Sequence, residues 1–125
     1  KDVFVLGRQD YHWRHEPILY GWKEGAAHYF VNDRTQDTVL NYERPKRSEE
    51  HPTTKPIPLI GKLMQNSSVP DWIVLDPFGG SGSTLITAQQ IDRRCFTMEL
   101  DPRYAQVIIE RWKRMTGEEA VLLDE

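Results

Sequence analysis

The chain has 125 residues, 38% of them hydrophobic and 28% charged, with a formal net charge of −3 and one cysteine. This length suits one domain with a modest core, and the acidic balance excludes a protein that binds nucleic acid through an overall positive charge. The single cysteine excludes an internal disulfide. Without a long apolar run or a signal-peptide pattern, we expect an intracellular protein with no membrane association.

The first fifty residues are predicted to form short strands and irregular segments. Apolar residues at 2–6 and 15–20 flank a polar stretch, which predicts an antiparallel pair of strands. Weaker strand patterns occur at 27–31 and 38–42. Glycine, asparagine and proline punctuate residues 24–50, so we expect that region to be largely irregular.

Two helices in the second half have clear boundaries. Pro56 is predicted to open a helix whose apolar residues share one face and which ends at 66–68. Asp101 as N-cap and Pro102 in the first turn open a second helix, which Gly117 ends. Apolar residues at helical spacing along this second helix predict that it packs on a sheet.

Two strands are predicted on either side of a third helix. Residues 72–75 and 95–100 are short, largely apolar runs, and residues 84–90 between them are predicted to be helical. Residues 120–123 suggest one further strand. Strand, helix and strand in succession predict an α/β fold with a parallel sheet and flanking helices.

The turn after the first of these strands, residues 76–82 (DPFGGSG), is the most informative part of the chain. A dinucleotide-binding fingerprint, G-x-G-x-x-G, does not fit because Leu85 takes the third glycine position after Gly80 and Gly82. A phosphate-binding P-loop does not fit because no lysine follows Gly82, and Asp76 would repel phosphate. Two interpretations remain: a helix-capping turn, or a loop whose backbone closely approaches an uncharged or cationic ligand.

A second acidic residue favours the ligand interpretation. Glu99 lies 23 positions after Asp76 (99 − 76), close to the spacing at which α/β nucleoside sites place an acid on ribose hydroxyls. S-adenosylmethionine (AdoMet) fits both residues, since it carries ribose hydroxyls and an ammonium group but no phosphate. The alternative for Glu99 is a solvated residue at a strand end.

Two motifs in succession resemble those of the amino-group DNA methyltransferases, which methylate adenine N6 or cytosine N4. Residues 76–84, DPFGGSGST, resemble the AdoMet-binding motif of that family, and residues 51–56, HPTTKP, resemble its HPTxKP cofactor motif. Residues 5–22 also resemble the segment that follows the catalytic region. The motif order is that of the β-type members. The resemblance implies a partial Rossmann-like AdoMet-dependent methyltransferase fold in a cytoplasmic protein of bacterial or phage type.

The resemblance also implies which residues bind the cofactor. Glu99 is expected to hold the ribose hydroxyls, Asp76 the methionine ammonium group, and Phe78 the adenosine part. Thr53 and Lys55 are expected to close over the methionine carboxylate, whose charge a lysine ammonium offsets. The full expected set is Thr53, Lys55, Asp76, Pro77, Phe78, Gly79, Gly80, Ser81, Gly82 and Glu99.

The catalytic tetrapeptide of the family, (Asp/Asn/Ser)-Pro-Pro-(Tyr/Phe/Trp), does not occur in the sequence. The chain is therefore interpreted as the C-terminal part of one methyltransferase domain, with the strand pair and a variable loop region at 1–50 and the AdoMet-binding part at 51–125. No catalytic residue is assigned within it. Methyl transfer to adenine N6 is favoured over cytosine N4, with the missing N-terminal catalytic half, or another copy of the chain, completing the site.

Double-stranded DNA is the expected substrate of the complete enzyme, which would serve a restriction-modification system. Arg44, Lys46 and Arg47 are candidate phosphate contacts, although a short basic run is also typical of a solvated loop. No metal site is expected, because His12 and His15 have no further ligands nearby. Two alternatives stay open: a catalytically inactive AdoMet-binding or partner module, and a methyltransferase that acts on RNA, protein or a small molecule.

Overall fold

The computed structural model describes residues 10–43 and 55–123. The regular elements that it describes all follow residue 55, in the order helix, strand, helix, strand, helix. They are α1 (Ile57–Ser67), β1 (Ile73–Asp76), α2 (Ser83–Gln90), β2 (Arg94–Thr97) and α3 (Pro102–Thr116). Among the residues described, no helix has the length and apolar character needed to cross a lipid bilayer.

The two strands form a parallel sheet. β1 and β2 pair with Val74 beside Cys95 and Asp76 beside Thr97. α2 connects them and packs against both strands, as parallel pairing requires a crossover connection. The prediction of an α/β fold with a parallel sheet and flanking helices is confirmed. Both strands end at the same edge of the sheet, where α/β proteins bind ligands.

The helix boundaries follow local signals in the sequence. Pro56 precedes α1 in an extended conformation, with φ −62° and ψ 122°. The Asp101 carboxylate caps α3 by accepting a hydrogen bond from the backbone N–H of Arg103 at 2.9 Å. Gly117 ends α3 in the left-handed region, with φ 75°. The three predicted helices are confirmed.

The core surrounds α2, which packs between α1 and α3. The buried hydrophobic side chains of the described residues are Met64, Ile86, Ala88 and Ile108. α1 packs on α2, and α2 also contacts α3 and the sheet. Along both strands, exposed residues alternate with half-buried ones. α2 therefore covers one face of the sheet, and α3 packs on α2, not on the sheet as predicted.

Residues 31–36 are irregular but fixed to α1. The side-chain amides of Gln36 and Asn66 exchange two hydrogen bonds, of 2.9 and 2.7 Å, and the backbone N–H of Val31 donates to the carbonyl of Asn66 at 2.9 Å. Asp33 accepts hydrogen bonds from the hydroxyl and the backbone N–H of Thr35, which lower the pKa of Asp33. The prediction of irregular structure is confirmed as far as residue 43, and residues 44–50 lie outside the described ranges.

Four of the predicted strands are wrong. The segments that have no strand structure are 15–20, 27–31, 38–42 and 120–123. The antiparallel pair predicted near the start of the chain is therefore not found, and its other member, 2–6, lies outside the described residues. An alternation of apolar residues becomes a strand only where a second strand accepts its backbone hydrogen bonds. In 27–31 the backbone N–H of Val31 donates to Asn66 of α1 instead, and its carbonyl accepts from the nearby Asp33 N–H.

Candidate functional site

The glycine-rich loop, defined as residues 77–82, joins β1 to α2 at the carboxyl edge of the sheet. Backbone hydrogen bonds fix it at both ends. Gly79 N–H donates to the Met98 carbonyl at 2.8 Å, just beyond β2, and Gly82 N–H donates to the Gly79 carbonyl at 2.8 Å. Ile86 N–H donates to the Gly82 carbonyl at 2.9 Å, which joins the loop to the first turn of α2.

A side chain at either of two glycines of the loop would crowd its neighbours. A Cβ on Gly79 would be 2.6 Å from Thr97 Oγ1 and 2.9 Å from Ile108 Cδ1. A Cβ on Gly82 would be 3.0 Å from Ile108 Cγ1, and Gly82 also has φ +77°, a region that L side chains rarely adopt. The glycines therefore let the loop lie directly against β2 and α3.

Asp76 is the last residue of β1, and its carboxylate faces the loop. Oδ1 accepts a hydrogen bond from the backbone N–H of Phe78 at 3.0 Å. The side chain thereby fixes the direction in which the chain leaves the strand. The Phe78 side chain itself is 87% exposed.

Glu99 follows β2, and its carboxylate bonds to the same loop. Oε2 accepts from the backbone N–H of Gly80 at 2.7 Å, and Oε1 accepts from the backbone N–H of Asp101 at 2.9 Å. The hydrogen bond from Asp101, followed by that from Gly80, lowers the pKa of Glu99. The structure thus brings together the two acids that the sequence singled out, each bonded to the backbone of the loop.

The remaining predicted residues have mixed surroundings. Ser81 is buried, and its hydroxyl lies 3.2 Å from that of Ser83. Lys55 is exposed, and its ammonium forms an ion pair with Glu16. Pro77 is exposed. Thr53 and the basic residues at 44–47 lie outside the described ranges, so their predicted roles stay predictions.

Sequence reasoning missed one residue that supports the loop. Arg111, on α3, donates a hydrogen bond from its guanidinium to the Ser81 carbonyl. Its spacing places Arg111 on the helical face of the buried Ile108, three positions before it, but does not indicate that this face meets the loop.

The chemistry of the site is that of paired carboxylates and backbone amides. The described residues contain no cluster of three or more potential metal ligands. Cys95, on the helix-covered side of β2, is also an unsuitable nucleophile. Desolvation, together with the nearby charge of Asp76, raises the pKa of its thiol to about 11, so it stays protonated at neutral pH.

Known proteins match this chain over most of its length. A family model described as DNA methylase matches residues 5–110. The type II methyltransferase M.Cfr9I of Citrobacter freundii is 36% identical over 100 residues, which is 77% of this chain and 32% of that protein. The type II methyltransferase M.SmaI of Serratia marcescens is 31% identical over 110 residues, which is 87% of this chain and 36% of that protein.

A solved structure of similar fold is that of M1.HpyAVI in complex with SAM, with a TM-score of 0.62 and 28% identity. That match covers 72% of this chain and 46% of M1.HpyAVI. The chain thus spans about a third of the length of the two type II methyltransferases and less than half of M1.HpyAVI.

Proposed function

Because this chain belongs to the N6/N4 DNA methylase family, whose members are AdoMet-dependent DNA methyltransferases, we propose that it supplies the cofactor-binding part of such an enzyme. The observation that carries the proposal is the convergence of Asp76 and Glu99 on the backbone of one glycine-rich loop. M1.HpyAVI, which has a similar fold, was solved as a complex with SAM.

The residues at the loop fit AdoMet in charge and in hydrogen-bonding capacity. A carboxylate has roughly four acceptor positions, and Glu99 uses two of them for backbone N–H groups. The other positions can accept two ribose hydroxyls. Asp76 supplies negative charge for an ammonium group, and two carboxylates at the loop would repel a phosphate. AdoMet has the ribose, the ammonium group and no phosphate.

The proposed roles follow from these positions. The exposed ring of Phe78 would pack against the adenine, and the backbone of residues 79–82, with Pro77 before it, would contact the methionine part. Thr53 and Lys55 would face the methionine carboxylate. When bound, AdoMet supplies an electrophilic methyl group, and the residues of this chain hold and orient it.

The target in this proposal is an exocyclic amine in double-stranded DNA, with adenine N6 favoured over cytosine N4. Arg44, Lys46 and Arg47 would contact phosphates, and the protein would act in the cytoplasm within a restriction-modification system. The sequence contains no (Asp/Asn/Ser)-Pro-Pro-(Tyr/Phe/Trp) tetrapeptide, so the groups that engage the amine would come from another polypeptide segment. The same absence favours a second candidate, an AdoMet-binding module without catalysis of its own.

Isothermal titration calorimetry with AdoMet tests the proposal. Glu99→Ala should weaken binding about 10- to 100-fold, the loss expected for hydrogen bonds to a charged group, and Glu99→Gln should weaken it less. Glu118→Ala, which removes an exposed acid after α3, should bind like the wild type. The absence of binding heat for wild-type protein at millimolar AdoMet would contradict the proposal, as would equal affinities of Glu99→Ala and Glu118→Ala.

A further inference from the structure

One side chain of α3 holds the backbone of the glycine-rich loop. The guanidinium of Arg111, which is half-buried, donates a hydrogen bond to the carbonyl of Ser81, which is 5% exposed. Ile108, one turn earlier on α3, is buried against the same loop, since a Cβ on Gly79 or Gly82 would lie 2.9 or 3.0 Å from its side chain. The bond from Arg111 therefore forms where little water competes for it, which strengthens it.

This hydrogen bond fixes one peptide unit, the one between Ser81 and Gly82. The carbonyl of the unit accepts the bond from Arg111. The N–H of the same unit, that of Gly82, donates to the Gly79 carbonyl at 2.8 Å. Because the C=O and N–H of a trans peptide unit point in opposite directions, the unit is held from both sides.

Glycine makes this peptide unit easy to turn over. Gly80 and Gly82 have φ of 54° and 77°, and glycine adopts positive and negative φ about equally readily. Rotation of the unit between Ser81 and Gly82 would exchange the directions of its C=O and N–H groups. The bond from Arg111 is lost in the rotated state, so Arg111 favours the observed orientation.

The two acids of the site act on a different part of the loop. Asp76 and Glu99 each accept a hydrogen bond from a backbone N–H within residues 77–80. They therefore fix the first half of the loop from the edge of the sheet. Arg111 fixes the second half from α3.

We propose that Arg111 is a positioning residue of the cofactor site, which keeps the second half of the loop in the conformation that binds AdoMet. This role rests on the proposed function, in which the backbone of residues 79–82 contacts the methionine part. Arg111 acts through the Ser81 carbonyl and is assigned no contact with the cofactor. A loop held in its binding conformation avoids the loss of apparent affinity that comes from time spent in other conformations.

AdoMet calorimetry and amide hydrogen exchange test this role. Arg111→Met keeps an unbranched side chain that can pack but cannot donate a hydrogen bond, and Arg111→Lys retains a donor. Arg114→Met, at an exposed position of the same helix, is the matched control. Calorimetry is carried out at a temperature at which circular dichroism shows every variant to be fully folded, so a lower stability alone does not change the measured affinity.

Arg111→Met should weaken AdoMet binding about 10-fold, as expected for the loss of one hydrogen bond from a charged group. Arg111→Lys should bind with intermediate affinity, and Arg114→Met like the wild type. The Gly82 N–H should exchange faster in Arg111→Met. The Arg94 N–H, which donates to the Trp72 carbonyl at the opposite edge of the sheet, should keep its exchange rate, whereas a general loosening of the fold would accelerate both amides.

The proposal is overturned if Arg111→Met binds AdoMet with the affinity of the wild type, or if Arg114→Met loses as much affinity. It is also overturned if Arg111→Met leaves the exchange of the Gly82 N–H unchanged or accelerates the Arg94 N–H equally. Failure of the proposed function has a different signature, which is the absence of binding heat from the wild type itself. The cofactor role of Arg111 then fails with it, even if the exchange of Gly82 depends on Arg111.

Discussion

Gly79→Ala is the substitution whose effect the structure defines most closely. The new Cβ would lie 2.6 Å from Thr97 Oγ1, 2.9 Å from Ile108 Cδ1 and 3.2 Å from the Met98 carbonyl oxygen. The methyl side of Ile108 can shift, but the Met98 carbonyl belongs to the backbone that accepts the Gly79 N–H. Overpacking of this kind costs about 1–3 kcal/mol. For a domain of this size the melting temperature should therefore fall by roughly 3–18 °C.

Gly61→Ala is the matched control, because its Cβ would meet only Thr87 Cγ2, at an ordinary 3.5 Å. Gly61 lies within α1, where alanine is more favourable than glycine by about 0.5–1 kcal/mol. Thermal unfolding followed by circular dichroism should show opposite shifts for the two variants. A melting temperature of Gly79→Ala equal to that of the wild type would refute the proposed packing of the loop against β2.

A double variant locates the clash. Thr97 Oγ1 is buried, and it has no hydrogen-bond partner among the residues described, so Thr97→Ala alone should cost little. In the Gly79→Ala background, Thr97→Ala removes the oxygen nearest to the new Cβ and should recover part of the lost stability. Strictly additive effects of the two substitutions would show that the oxygen is not the obstacle.

Two further predictions concern the acids after β2. The pKa of Glu99 is lowered in the folded protein. Its carboxylate therefore stabilises the fold at pH values above the ordinary pKa of 4.5. This stabilisation is lost as the pH falls from 4.5 through the lower pKa of the folded state. The melting temperature should therefore fall more steeply on acidification for the wild type than for Glu99→Gln, and parallel curves would contradict the prediction. Asp101→Ala should lower the melting temperature through loss of the α3 cap, with Asp101→Asn close to the wild type; equal melting temperatures for the two variants would argue against capping.

The sequence predicted those features that depend on neighbouring residues. Asp101, Pro102 and Gly117 define α3 because capping and helical backbone preferences are local. The order of strand, glycine turn and helix around Asp76 likewise follows from the pattern of apolar residues and glycines over a short stretch of sequence. These local signals were enough to predict the α/β class and the parallel sheet.

The errors and omissions concern contacts between distant residues. The alternation at 15–20 predicted a strand, but strand structure needs a partner that the local sequence does not specify. The crowding of Gly79 by Thr97 and Ile108, and the bond from Arg111 to the loop, arise only when α3 folds back over the glycines. The glycine pattern could suggest a close approach, but it could not indicate which atoms approach.

The state of Glu99 in the free protein bears on the cost of ligand binding. Its carboxylate is already oriented by two backbone N–H groups, and its lowered pKa keeps it ionised at neutral pH. The loss of rotamer freedom is thus incurred during folding, before any ligand arrives. A nucleoside whose hydroxyls meet this preorganised acceptor needs neither a proton transfer nor a side-chain rearrangement. Its affinity can therefore exceed what the same contacts would give with a mobile glutamate.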